Sequence, residues 1–77
     1  MSNENHNEDI KEIIQSLIDA RRETGMTQKE LSERTGIAQG DISKLEKGNT
    51  NPSLKTLVRL ADAMGMSLKV KFCFSGD

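Results

Sequence analysis

The sequence holds one cysteine, one proline, one histidine and two phenylalanines, with no tryptophan or tyrosine. Each scarcity removes a class of protein. A lone Cys73 forms neither an intramolecular disulfide nor a cysteine zinc site. It is expected to be a small buried hydrophobe, with an intermolecular bridge as the alternative. His6 stands in a polar stretch with no metal-ligand cluster around it, and no nucleophile has a base at hand, so neither an enzyme nor a cofactor is expected. No apolar run is long enough to span a bilayer and the polar start has no signal-peptide pattern, which points to a cytoplasmic protein. At 77 residues the chain is one small domain near the lower limit for a self-sufficient core, so oligomerisation is open from the outset.

The charge is nearly balanced, at -1 overall, but unevenly placed. Glu4, Glu8 and Asp9 fall in the first nine residues, where no Lys or Arg occurs. Over residues 44–59 the charged side chains are Lys44, Glu46, Lys47, Lys55 and Arg59, a local basic excess. Distribution matters more than the total for a nucleic-acid ligand.

Residues 1–8 are too polar to bury anything and are expected to form a disordered arm. From Ile10 the apolar residues Ile10, Ile13, Ile14, Leu17 and Ile18 recur at three and four, one face of an amphipathic helix that Gly25 stops. Thr27 and Glu30 have capping-box spacing, and Met26 and Leu31 stand where a hydrophobic staple closes, so a short second helix begins at about Gln28 and ends at Gly36. Ile37 and Ile42 make a second staple, predicting a third helix from near Gln39 to Glu46 or Lys47, with Gly48 as terminator. Pro52 breaks the chain and Ser53 caps a fourth helix, whose apolar face is read as Leu54, Leu57, Val58, Ala61 and Met64. After Gly65 the period changes to two. Leu68, Val70, Phe72 and Phe74 alternate with Lys69, Lys71 and Cys73, the pattern of a half-buried strand facing the fourth helix.

Two short helices joined by a Gly turn form a helix-turn-helix unit. Small Ser32 falls where the helices approach, Gly36 in the turn, and Ile37, Ile42 and Leu45 inward. The opposite face of the third helix then presents Gln39, Gly40, Ser43, Lys44 and Lys47, with Asp41 on the flank. The Gln39 amide suits a bidentate contact to adenine N6 and N7, and Lys44 suits guanine or a phosphate. Asp41 reads either as an acceptor from cytosine N4 or as a structural acid that complements the helix dipole and bonds back to the Ala38 amide. Lys47, Asn49, Thr50 and Lys55 suit phosphate contacts, and Gly40 allows close approach of backbone to DNA.

The stretch "MTQKELSERTGIAQGDISKLEKGNTNPSLKTLVRLADAMG" resembles the helix-turn-helix domain of the Cro and phage-repressor type, the Xre family. The motifs "TQ.EL", the turn Gly, "IS.LE.G" and "PSL.TL" stand in the family's order and spacing over residues 10–65. The resemblance implies an all-α bundle of four to five helices, lambda-repressor-like, that binds double-stranded operator DNA through the third helix, normally as a dimer. Gln28, beside Thr27, matches the family position that bonds a backbone phosphate. Arg21 and Glu46 match positions of a partly buried ion pair, against the alternative of two solvated surface charges. Ala38 departs from the family's capping Ser or Thr.

The expected organisation is an arm over residues 1–8, a DNA-binding domain over 9–66 and a dimerising strand over 67–77. A single strand must pair with something, and its copy in a second subunit is the economical partner, through Leu68, Val70, Phe72 and Phe74. The bundle followed by "GMSLKVKF" is also similar, over a shorter stretch, to HipB-type and HigA-type antitoxins. Three functions follow as expectations: a homodimeric transcriptional repressor, an antitoxin that also binds a toxin protein, and a protein-interaction module. The basic excess after Lys44 would have no purpose in the last.

Overall fold

The computed structural model describes residues 2–74 as four α-helices: α1 Ser2–Thr24, α2 Gln28–Thr35, α3 Gln39–Glu46 and α4 Leu54–Ala63. The turn between α2 and α3 is set by Gly36, at φ 78°, whose amide donates to Ser32 O at 2.8 Å. A side chain there would be strained by the backbone conformation alone. Ser32 Oγ donates to Ile37 O at 2.6 Å, which ties the last turns of α2 to the chain entering α3. Thr27 closes the capping box in full: its Oγ1 accepts from the Glu30 amide at 3.0 Å, and its own amide donates to Glu30 Oε1 at 3.0 Å.

One core holds the helices together, formed by Ile14 and Leu17 of α1, Leu31 of α2, Ile42 and Leu45 of α3, Leu60 of α4, and Met64. Leu31, Ile42 and Leu60 have no exposed surface. Ile10, Ile18, Met26, Ile37 and Met66 pack around that cluster. α2 packs on both α3 and α4, and α1 packs on α3. No buried side-chain polar atom among the described residues lacks a partner.

Four expectations are corrected. α1 begins at Ser2 rather than near Ile10, so its backbone takes in most of the arm expected over residues 1–8. The side chains of that stretch, His6 included, lie outside the described residues. Nothing between Ser2 and Asp9 breaks a helix, and acidic residues near an N-terminus favour one, so absence of apolar periodicity is a poor marker of a helix start. On α4 the inward face is Leu57, Leu60 and Ala61, whereas Leu54 and Val58 are exposed, at 59% and 42%. The stripe is rotated from the one expected because Leu60 points into the centre.

The terminal strand is absent among the described residues. Residues 66–74 carry neither helix nor strand, since the chain offers no second strand to complete a ladder. Phe72 and Phe74 are fully exposed and Val70 is 63% exposed, so they do not face α4 and Met64. Leu68 alone of that set is half-buried. Cys73 is exposed instead of buried, because it rides on this same uncovered tail.

Candidate nucleic-acid interface

With Ile42 and Leu45 locked in the core, α3 turns Gln39, Gly40, Asp41 and Lys44 to solvent, with Lys47 exposed just past its end, and leaves Ser43 half-buried. Thr27, Asn49, Thr50 and Lys55 are also exposed, and Gln28 is half-buried. Among the described residues the one ion pair is Arg21 with Glu46, so Lys44, Lys47 and Lys55 keep unneutralised charge. This surface is cationic although the chain is not.

The start of α3 is open. Ala38 gives no side-chain cap, and the Asp41 and Ile42 amides both turn back to Ala38 O at 3.0 and 3.1 Å. The expected bond from the Ala38 amide to the Asp41 carboxylate is not formed. Asp41 lines an open cleft of about 370 Å³ with Ile37, Leu45, Thr50 and Pro52. Among the described residues the Gln39 and Gly40 amides have no acceptor, so they project as free donors at the positive end of the helix dipole. Gly48, at φ 80°, ends α3 and starts the loop that carries Asn49 and Thr50. The Asn49 amide returns to Lys44 O at 3.0 Å and the Gly48 amide to Leu45 O at 3.0 Å, a Schellman closure.

The start of α2 has its own donors. The capping box satisfies the Glu30 amide, and the Leu31 amide reaches Thr27 O at 3.0 Å. The amides of Gln28 and Lys29 remain free among the described residues, a ready arrangement for an anion.

One charged cluster joins the start of α2 to the end of α3. Arg21 Nε and Nη2 donate to Glu46 Oε2 and Oε1 at 2.7 and 2.9 Å, a bidentate fork, and Arg21 Nη1 donates to Met26 O at 3.0 Å. Gln28 Nε2 also donates to Glu46 Oε1, at 2.9 Å. Burial alone would push the Glu46 carboxyl up, but the hydrogen bonds from Arg21 and Gln28, with the charges of Arg21 and Arg22, hold it below the ordinary value. The bonds to Glu46 hold the Arg21 guanidinium above its own ordinary value, against its burial.

Two connections were not foreseen in the sequence. Gln28 is tied to Glu46, which brings the first residue of α2 against the last of α3. Arg59, counted above with the basic excess, instead donates from Nη2 to Thr35 O and so caps the C-terminus of α2 from α4. Neither bond has a sequence signature, since both join residues about twenty positions apart through side chains long enough to reach several acceptors.

The helix-turn-helix family matches residues 17–70, and the chain belongs to that family, in its Xre-type branch. It is 40% identical over 58 residues to an HTH-type transcriptional regulator of Haemophilus influenzae, a stretch covering 75% of this chain and 59% of the relative. It is 49% identical over 47 residues to another of Sinorhizobium fredii, covering 61% of each. The chain thus spans less than two thirds of the length of these relatives. Antitoxin HigA1 of Mycobacterium tuberculosis is 32% identical over 63 residues, 82% of this chain and 42% of that protein. No solved structure matches the chain.

Proposed function

We propose that the chain is a sequence-specific DNA-binding transcriptional regulator, a homodimer that represses by covering a near-palindromic operator in the cytoplasm. The observation that carries this reading is the pairing of two uncapped or anion-ready helix starts on one helix-turn-helix unit with the unpaired cations Lys44, Lys47 and Lys55 on and beside it. In the reading, α3 enters the major groove with Gln39 and Lys44 toward base edges and Ser43 and Asp41 beside them. Thr27 and Gln28 at the head of α2, and Lys47, Asn49, Thr50 and Lys55 beyond α3, hold phosphates. Gly40 lets the backbone approach.

The test is selection of duplexes from a random-sequence pool, followed by binding at rising salt. A consensus should emerge, and affinity should fall with a slope of about 0.9 per phosphate neutralised. No enrichment, or a flat salt response, would remove DNA as the ligand.

The likeness to HigA1 and the exposed Val70, Phe72 and Phe74 favour a second reading, an antitoxin whose tail adds to the sheet of a toxin protein. A free chain that is monomeric, and that forms a stable complex with the product of a neighbouring gene, would select it over the homodimer.

A further inference from the structure

We infer that Glu46 is a positioning residue for the DNA contact: through its hydrogen bond to Gln28 it fixes which face of the Gln28 amide meets a phosphate. This rests on the DNA-binding reading above. A glutamine amide has one end that donates and one that accepts, and free in solvent its orientation is not fixed. Only the donating end attracts a phosphate. Glu46, held ionised by Arg21, accepts and cannot donate, so it draws the Gln28 Nε2 toward itself and repels Oε1. One of the two Nε2 hydrogens is taken at 2.9 Å. The other diverges from it by the trigonal geometry of the nitrogen, and stays available on the residue that opens α2.

The arrangement also fixes position. Gln28 is the first residue of α2 and Glu46 the last of α3, and Glu46 is itself pinned from α1 by two bonds from Arg21. The donors at the head of α2 and the base-facing side chains of α3 are therefore held in one register by a single carboxylate. Any change that loosens Glu46 frees the Gln28 amide to rotate as well as relaxing α3.

The test is a double-mutant cycle with Gln28→Ala and Glu46→Gln, read as affinity for a duplex that the parent protein has selected from a random-sequence pool. Each variant is checked for helicity by circular dichroism at the binding temperature. Each single change should weaken binding about tenfold, the order of one charge-assisted hydrogen bond. In the Gln28→Ala background, Glu46→Gln should cost clearly less than it does alone, the remainder being what relaxation of α3 contributes. If Glu46→Gln weakens binding equally with and without Gln28, or in neither background, Glu46 does not act through Gln28 and the inference is wrong. A parent that selects no duplex overturns the DNA reading and this one together.

Should Glu46→Gln fail to fold, the parent decides the matter by its proton–nitrogen spectrum. The Gln28 side-chain proton bonded to Glu46 should lie downfield of a solvated amide proton and exchange slowly in the free protein, and the other should move on adding the duplex. A pair of protons at solvated positions, or signals unmoved by the duplex, would overturn the positioning role.

Discussion

Replacing Glu46 with Ala removes the acceptor for three hydrogen bonds at once: two from Arg21 and one from Gln28. Arg21 keeps only its bond to Met26 O, and its side chain is 13% exposed, so the guanidinium is left mostly out of water with two of its donors idle. A hydrogen bond to a charged group is worth about 1.5–3 kcal/mol, and breaking a buried pair from one side costs about 3–5 kcal/mol. Because this pair is partly open to water, the loss should be about 2–4 kcal/mol. At ~0.05–0.15 kcal/mol per residue, the whole domain is stable by about 4–12 kcal/mol, so this one change consumes a large share. The melting temperature should fall by at least ~8 °C. The paired replacement Arg21→Met with Glu46→Leu removes both charges and should return to within about 1 kcal/mol of the parent, since apolar substitutes for buried pairs are often neutral or better. Urea denaturation followed by helicity, with the slope on denaturant checked for constancy, measures all three. A Glu46→Ala loss under about 1 kcal/mol would mean that solvent screens the pair. A double variant worse than the single one would mean that the pair attracts beyond its desolvation cost, and the reasoning would fail.

Other consequences are more local. The lowered Glu46 pKa contributes stability that is present above the unfolded value near 4.5 and lost as pH falls through the folded value, so the parent should lose stability in acid. Glu46→Gln should lack that portion of the acid limb in the same denaturation series. Gln39→Ala should lose discrimination of about 1–3 kcal/mol at one base pair, while Lys47→Ala weakens all duplexes alike; equal losses on selected and random DNA for Gln39→Ala would end its role as a base reader. Ala38→Ser places a hydroxyl where the Asp41 amide can donate to it and should stabilise by about 0.5–2 kcal/mol in thermal melts. Under the homodimer reading proposed above, deleting residues 67–77 should leave the helices folded and abolish dimerisation in sedimentation equilibrium, whereas equal dissociation constants for both lengths would place any interface elsewhere.

The helix boundaries around the turn were legible in the sequence because each is fixed by local chemistry: Thr27 with Glu30, Gly36, Gly48, and Ser53 before Leu54. Inward positions were legible wherever a short helix has one face to bury, as with Leu31, Ile42 and Leu45. α4 was misjudged because Leu54, Leu57, Val58, Leu60 and Ala61 together offer two overlapping apolar stripes, and only packing against α2 selects the one that holds Leu60. The tail was misjudged for a different reason. Alternation at Leu68, Val70, Phe72 and Phe74 describes a backbone suited to a ladder, yet a ladder needs a partner that lies outside the chain. At the candidate site the residue types of α3 could be read directly, but the tether from Gln28 to Glu46 could not, because it depends on how α2 and α3 sit against each other.

The open start of α3 has a consequence for how this surface exchanges with solvent. The Gln39 and Gly40 amides have no acceptor among the described residues, while Ile42, whose amide reaches Ala38 O, belongs to a side chain with no exposed surface. Within a single helix of eight residues, deuterium should therefore enter the first amides at nearly the rate of an unfolded peptide, and the Ile42 amide only when the core itself opens. Such a short helix has little stability of its own in water. Its order is borrowed from Ile42 and Leu45, and the lifetime of its exposed surface is thus set by the opening rate of the core beneath it.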